Sequence, residues 1–322
     1  MKKLLLGIAA VCLAGFTFAQ DAPLWMRHSV ISPDGTTIAF TYKGDIYTVP
    51  VAGGRAMQIT TNPAYDTAPV WSPDSKRIAF ASDRMGSLDV YIVAKDGGEP
   101  RRLTTHSGSE TPLAFTDAGH VLFSAGIMPS AEAVVFPSNG QFNQVYRVSV
   151  EGGRPTMISS MPMECISINK EGAMLYQDKK GYEDYWRKHH VSPIARDIWM
   201  YTPGKEPQYR QLTTFGGEDR EPVWAPDGKT FYYLSEENGS FNIYRRTPGD
   251  AKAVQLTHYT KNPVRYLSAA TDGRLCYGFD GEIYTLLPGG EAQKVNISIV
   301  SDRNDKDIIR QIKSCLLYTS PS

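Results

Sequence analysis

The fold is decided by the stretch Pro69-Val70-Trp71-Ser72-Pro73-Asp74, Arg77-Ile78-Ala79-Phe80-Ala81-Ser82, Asp89-Val90-Tyr91-Ile92-Val93 and Arg102-Leu103-Thr104-Thr105. Each of its four segments has the length and the β-branched or aromatic content of a short strand. A Pro-Asp turn follows the first segment and a Gly-Gly pair precedes the last, and these residue types suit tight turns. The stretch therefore predicts four strands in a meandering antiparallel sheet.

The third segment recurs along the chain as an acidic or amide residue followed by Ile or Val and an aromatic residue. The six copies are Asp45-Ile46-Tyr47, Asp89-Val90-Tyr91, Gln144-Val145-Tyr146, Asp197-Ile198-Trp199, Asn242-Ile243-Tyr244 and Glu282-Ile283-Tyr284. Their aromatic residues stand 40 to 55 residues apart, which brackets the period of about 40 to 50 residues expected of a propeller blade. The sequence thus predicts an all-β fold, a six-bladed β-propeller of four-stranded antiparallel blades.

The second strand of each copy indicates how the sheets pack. Ile38-Ala39-Phe40 and Ile78-Ala79-Phe80 alternate large and small apolar residues, so both faces of the sheet should be buried. Radial packing of blades gives that environment, and we interpret Trp71 and Trp224 as wedges between neighbouring blades. Repeat and blade are in phase over residues 26–297, leaving no strand to lock the ring. We therefore expect the first and last blades to close it by packing.

Composition excludes several classes of function. The 322 residues include 34 Lys and Arg against 34 Asp and Glu, so no net charge favours nucleic acid. The body of the chain holds only Cys165 and Cys276, in copies that are not neighbours. We expect both to be buried free thiols, neither of them a nucleophile.

The two ends of the chain have their own signatures. Lys2 and Lys3 precede an apolar run and Thr17-Phe18-Ala19, which predicts a secretory signal over residues 1–19. The run is shorter than the roughly 20 residues that cross a bilayer, so we expect no membrane span after cleavage and a periplasmic or secreted location. Residues 315–322 match one reading frame of a transposon sequencing adapter, and we interpret them as an artefact.

The turn, the Asp-Ile-Tyr strand and the Gly-Gly closure followed by Leu-Thr together resemble the WD40-like propeller repeats of TolB and of tricorn-type peptidases. Two longer segments are similar to secreted tricorn-like serine peptidases: Gly181-Tyr182-Glu183-Asp184-Tyr185-Trp186-Arg187-Lys188-His189-His190 with Ala195-Arg196-Asp197-Ile198-Trp199, and Leu24-Trp25-Met26-Arg27. Residues 299–305 resemble that family's linker. The resemblance implies an N-terminal six-bladed propeller over residues 24–297 and a linker, residues 298–314, into a second propeller.

This resemblance implies a non-catalytic module that gates or channels peptides to a catalytic domain further along the chain. Its partners would be the peptide substrates and the C-terminal domains of a parent serine peptidase. We expect no catalytic, cofactor-binding or metal-binding residue in this chain. The alternative is a stand-alone TolB-like propeller that binds an envelope protein. A third candidate, a propeller enzyme with a central site, needs His or carboxylate side chains on the inner strands, and we find none there.

The insertion in the fourth copy holds the candidate contact residues. Aromatic and basic side chains alternate there and suit a peptide or a second domain; they are Tyr182, Trp186, Arg187, Lys188, His189 and His190. The two adjacent His residues would point to opposite faces of a strand, so they cannot jointly hold one metal ion. A second insertion, between Ser124 and Gln144, is unusually apolar for a hairpin and suits an interface.

Overall fold

A computed structural model describes residues 23–126, 143–181 and 191–300. Within these ranges all regular elements are β-strands, so no helix capable of crossing a membrane occurs there. Six four-stranded antiparallel sheets follow one another along the chain, each in simple meander order. The predicted six-bladed propeller of four-stranded blades is confirmed.

The strands of the first three blades are as follows. Blade 1 contains β1 (Arg27–Ile31), β2 (Thr37–Tyr42), β3 (Asp45–Pro50) and, after the short β4 (Gly54–Arg55), β5 (Met57–Gln58). Blade 2 contains β6 (Asp66–Trp71), β7 (Arg77–Ser82), β8 (Asp89–Ala94) and β9 (Arg101–Arg102). Blade 3 contains β10 (Glu110–Asp117), β11 (His120–Ala125), β12 (Gln144–Ser149) and β13 (Thr156–Ser159).

The other three blades complete the ring. Blade 4 contains β14 (Met163–Ile168), β15 (Met174–Asp178), β16 (Ile198–Thr202) and β17 (Gln208–Gln211). Blade 5 contains β18 (Asp219–Trp224), β19 (Phe231–Ser235), β20 (Asn242–Arg246) and β21 (Val254–Gln255). Blade 6 contains β22 (Arg265–Ala269), β23 (Leu275–Phe279), β24 (Glu282–Leu286) and β25 (Gln293–Lys294), and β26 (Ile297–Ser298) follows it.

The repeated motif is explained by a hydrogen-bonded closure inside four of the blades. In blade 5, Thr257 Oγ1 accepts the backbone N–H of Ile243 at 2.9 Å and donates to Asn242 Oδ1 at 3.0 Å. The same bond to a backbone N–H recurs in blades 1, 2 and 4, through Thr60, Thr104 and Thr213. In blades 1, 4 and 5 the Thr hydroxyl also donates to the polar residue beside the start of the third strand, so the two residues are halves of one contact.

Neighbouring blades pack through apolar residues on both faces of their second strands. Ile38, Ala39 and Phe40 are fully buried, as the alternation of large and small residues predicts. Trp71 lies in a cluster with side chains of blades 1 and 2, and its Nε1 donates to Val30 O at 3.0 Å. Trp224 repeats this arrangement between blades 5 and 4, donating to Ala173 O at 3.2 Å. The predicted wedge role of both Trp residues is confirmed.

The first and last blades close the ring by packing, as expected. One apolar cluster joins side chains of both blades, and Ile31 N donates to Ser268 Oγ of blade 6 at 3.1 Å. The expectation that no strand is left over was wrong, however. Strand β26 pairs in parallel with β4, in the outer hairpin of blade 1. Two residues are enough because Gly54 N and Ala56 N both donate to this segment, each at 2.8 Å.

Candidate functional site

The inner strands that surround the central axis of the ring share a backbone irregularity that sequence reasoning missed. The pairing of inner and second strands shifts register in all six blades. In five of them the shift coincides with a non-glycine residue at a φ of 50° to 58°: His28, Ala68, Cys165, Glu221 and Tyr266. Such bulges turn side chains out of the regular alternation of a strand. No residue type at these positions signals the left-handed conformation.

The bulge residues of four blades meet along one side of the axis. The rings of His28 and Tyr266 lie 4.9 Å apart, which links blades 1 and 6. The carboxylate of Glu221 in blade 5 accepts the N–H of Leu267 in blade 6 at 2.8 Å, and the N–H of Glu221 donates to Gln177 in blade 4 at 3.0 Å. Blades 4, 5, 6 and 1 thus contribute to one continuous wall.

A charged network lies in this wall where blades 4 and 5 meet. The guanidinium of Arg196 bridges two carboxylates, with Nε 3.1 Å from Glu164 Oε2 and Nη1 3.2 Å from Glu218 Oε1. The other oxygen of Glu218 accepts from Arg220 Nε. Lys179 Nζ lies 3.3 Å from Glu164 Oε1. The charges are therefore held by fixed partners, as buried ions require.

The electrostatics of the wall follow from burial and from these partners. Burial raises the pKa of Glu164, but the charges of Arg196 and Lys179 and the hydrogen bonds from Arg196 and Gln177 together outweigh it and leave the pKa below its usual value. Burial lowers the pKa of His28 to about 4, with the charge of Arg27 acting in the same direction. At neutral pH the wall therefore presents an ionised carboxylate and a neutral imidazole.

Cys165 corrects one expectation and supports another. Both thiols are free, but only Cys276 is buried, whereas Cys165 is exposed at its bulge. Although solvent reaches this side chain, the surrounding protein displaces most of the water near the thiol and raises its pKa well above the usual value, and the negative charges of Glu221 and Glu164 act in the same direction. A thiol that stays protonated is a poor nucleophile.

The expectation that the inner strands carry no carboxylates was wrong. Glu164 in β14 and Glu221 in β18 both lie in the wall, and the second stands just before Pro222-Val223-Trp224. A usable signal was present in Glu218-Asp219-Arg220-Glu221, four charged residues at the start of a strand that is otherwise apolar. Arg196 pairs with Glu164, and the N–H of Leu267 donates to Glu221, so both carboxylates are held by partners within the polar wall.

The predicted contact residues Tyr182, Trp186, Arg187, Lys188, His189 and His190 lie outside the described residues. The same holds for most of the apolar insertion, residues 127–142. The described flanks show that these insertions connect the second and third strands of blades 3 and 4. Within the described ranges, no three His, Cys, Asp or Glu side chains are grouped so that they could hold a metal ion.

Comparisons with known proteins agree with this architecture. Residues 23–292 match the family model of the tricorn protease N-terminal β-propeller domain. Tricorn protease homolog 1 of Streptomyces coelicolor is 26% identical over 289 residues, which are 88% of this chain and 26% of that protein. The tricorn protease homolog of Saccharolobus solfataricus is 23% identical over 297 residues, 87% of this chain and 26% of that protein.

Solved structures give the same picture at the level of the fold. The crystal structure of the tricorn protease superposes with a TM-score of 0.71 at 19% identity, over 87% of this chain and 27% of that one. TolB from Acinetobacter baumannii gives a TM-score of 0.62 at 15% identity, over 81% of this chain and 63% of that one. The chain spans about a quarter of the length of the curated relatives it matches. It belongs to the family of tricorn protease N-terminal β-propeller domains.

Proposed function

We propose that this propeller is the non-catalytic, peptide-guiding part of a longer tricorn-like serine peptidase. Peptides would pass along the wall formed by blades 4, 5, 6 and 1 toward a catalytic domain beyond these residues. The family match supports the parent enzyme, and the signal-like residues 1–19 support a periplasmic setting. The observation that carries the proposal is the polar wall, in which the charges of Arg196 and Glu218 are already paired.

Charges that are already paired in the wall would let peptides pass and would not retain them. An unpaired Arg or Glu in a channel would retain peptides of the opposite charge, whereas conduction requires binding weak enough to allow release. Arg196 and Glu164 satisfy each other, so a peptide would meet dipoles and hydrogen-bonding groups in place of a net charge. We therefore expect weak binding with little dependence on peptide charge.

The exposed thiol of Cys165 gives a direct test. In a protein carrying Cys12→Ser and Cys315→Ser, slow alkylation by iodoacetamide at about pH 9, where more of the thiol is ionised, can be followed at Cys165 and Cys276 by mass spectrometry. A mixture of short unstructured peptides should slow alkylation at Cys165, about twofold when half of the channels are occupied. Cys276 is buried and reports unfolding, so its slower alkylation should not change.

Two results would contradict the proposal. An alkylation rate at Cys165 that stays constant up to the solubility limit of the peptides would show that they do not reach the wall. Hydrolysis of the same peptides by the purified chain would contradict its non-catalytic assignment. Equal slowing at Cys165 and Cys276 would indicate general stabilisation and would also count against channel binding.

A further inference from the structure

The junction between blades 2 and 3 concentrates buried polar atoms that lack a hydrogen-bond partner. Among the described residues, five of the twelve such atoms belong to Asp89, Arg102 and Glu110. They include both carboxylate oxygens of Glu110 and both of Asp89, although Asp89 Oδ2 forms an ion pair with Arg102 without hydrogen-bond geometry. Buried polar groups in folded proteins are nearly always satisfied, so a cluster of exceptions needs a physical explanation.

The geometry brings the two carboxyl groups together across the junction. Asp89 begins β8 in blade 2 and Glu110 begins β10 in blade 3. The backbone N–H of Glu110 donates to Leu88 O at 2.7 Å, which fixes one strand start beside the other. Both residues are buried, with 0% and 1% of their surface exposed. Two acceptor groups thus face each other with no access to water.

Within the described part of the chain, Arg102 is the cation that forms an ion pair with these two carboxyl groups. Arg102 Nη2 lies 2.9 Å from Asp89 Oδ2, and the hydroxyl of Thr104 is the other polar group near Glu110. Two adjacent carboxylates in a site without water cannot both remain ionised when one guanidinium is present. A proton held between them removes one charge and supplies the missing donor.

We propose that Asp89 and Glu110 share one proton across the junction of blades 2 and 3, and that losing this proton loosens the junction. The shared proton ties two blades beside the backbone hydrogen bond from Glu110 N to Leu88 O. Its loss leaves two repelling carboxylates at the strand starts, so the junction becomes a pH-sensitive seam in the ring.

The direction of the pH effect follows from linkage. Burial raises the pKa of Glu110 to about 7, and the charge of Asp89 adds to this, while Thr104 and Arg102 act against it. A carboxyl group with a raised pKa binds protons more tightly in the folded state. Its contribution is therefore greatest at low pH, declines above the unfolded pKa and is lost once pH exceeds about 7.

Other junctions show why the test must be local. At the junction of blades 1 and 2, Asp66 occupies the position of Glu110 but receives two bonds of 3.0 Å from Arg84, so its charge is matched. At the junction of blades 4 and 5, burial raises the pKa of Asp219 to about 7, although hydroxyl groups of Ser235 and Thr213 accompany it. The free energy of unfolding of the whole protein would therefore change with pH through Asp219 as well as through Glu110, and it could not separate the two contributions.

Hydrogen exchange measured amide by amide tests the proposal. The amide of Glu110 donates across the seam to Leu88 O, and the amide of Asp66, which donates to Gly44 O across the junction of blades 1 and 2, serves as reference. After division by intrinsic rates, the seam amide of Glu110 should lose about tenfold protection between pH 6 and pH 8, because the proton on a group with a folded pKa of about 7 is lost across this range. Glu110→Gln supplies a permanent donor and should keep the seam protected at pH 8, and Asp66→Asn should leave the pH dependence at the seam unchanged.

Infrared spectroscopy gives a second readout that does not depend on stability. At pH 6 the protein should show the band of a protonated carboxyl group, and Glu110→Gln or Asp89→Asn should remove part of it. Seam protection that is equal at pH 6 and pH 8 would overturn the proposal. Stoichiometric calcium or magnesium in the purified protein, lost in Glu110→Gln, would also overturn it, because a cation would then fill the role of the proton.

Discussion

The clamp between β26 and β4 makes a sharp prediction about Gly53. The residue has a φ of 85°, and an alanine Cβ there would lie 2.6 Å from the carbonyl oxygen of Asn296. Such a contact forces the β26 segment away from blade 1. Gly152, in the matching hairpin of blade 3, has a φ of 83° and nothing within 4 Å of its added Cβ. Gly152→Ala therefore carries the same backbone strain without the collision.

The magnitude follows from the contacts that the collision removes. Both substitutions share a left-handed alanine, which costs about 1 to 2 kcal/mol. Gly53→Ala also loses the bonds from Gly54 N to Asn296 O and from Ala56 N to Ser298 O, worth about 1 to 3 kcal/mol together. If the buried side chain of Ile297 is released as well, about 2 kcal/mol is added. We expect Gly53→Ala to be less stable than Gly152→Ala by about 1 to 5 kcal/mol.

Urea unfolding of the two variants, followed by tryptophan fluorescence, measures the difference directly. Hydrogen exchange should locate it, with faster exchange of the amides of Gly54 and Ala56 in Gly53→Ala alone. For a chain of this size, 1 kcal/mol corresponds to a change of about 2 °C in Tm. Equal stability of the two variants within about 0.5 kcal/mol, or unchanged exchange at these two amides, would refute the clamp.

Two further substitutions test contacts of the repeat. Trp71→Phe keeps the aromatic wedge but removes its hydrogen bond to blade 1, so we expect a loss of about 1 kcal/mol in the free energy of unfolding, measured in urea. Thr257→Val removes the hydroxyl that bonds both the N–H of Ile243 and the side chain of Asn242, so it should lower the free energy of unfolding by about 1 to 3 kcal/mol in the same assay. The control Thr105→Val changes an exposed residue and should cost less than about 0.5 kcal/mol. Equal losses in the two variants would contradict the closure.

The fold could be predicted from the sequence because its determinants are local and repeated. A buried second strand such as Ile78-Ala79-Phe80 and a third strand such as Asp89-Val90-Tyr91 report their own environment, and six copies confirm each other. The left-handed bulges could not be predicted, because Ala68 and Cys165 adopt them under the constraints of neighbouring strands. A two-residue strand such as β26 has no periodicity to detect.

The candidate site was missed for a different reason. Its network joins Glu164, Arg196 and Glu218, which belong to two blades and lie 22 to 54 residues apart in the chain. No local pattern links them, and their common location appears only when the ring brings the blades together. The spatial pairing of charges is thus a property of the closed ring, whereas the repeat is a property of each blade.

The junction of blades 6 and 1 and the junction of blades 2 and 3 are held together in different ways. No short connection links blade 6 to blade 1, so this seam depends on satisfied contacts: a shared apolar cluster, the bond of Ile31 to Ser268, and the clamp at Gly54. Blades 2 and 3 are consecutive in the chain, so their separation is limited by the connecting segment even when Asp89 and Glu110 repel each other. Repulsion between two carboxylates can be tolerated at this junction because the connecting segment keeps the two blades together. We therefore expect loss of the shared proton to widen the ring locally between blades 2 and 3, while full opening requires loss of the contacts between blades 6 and 1.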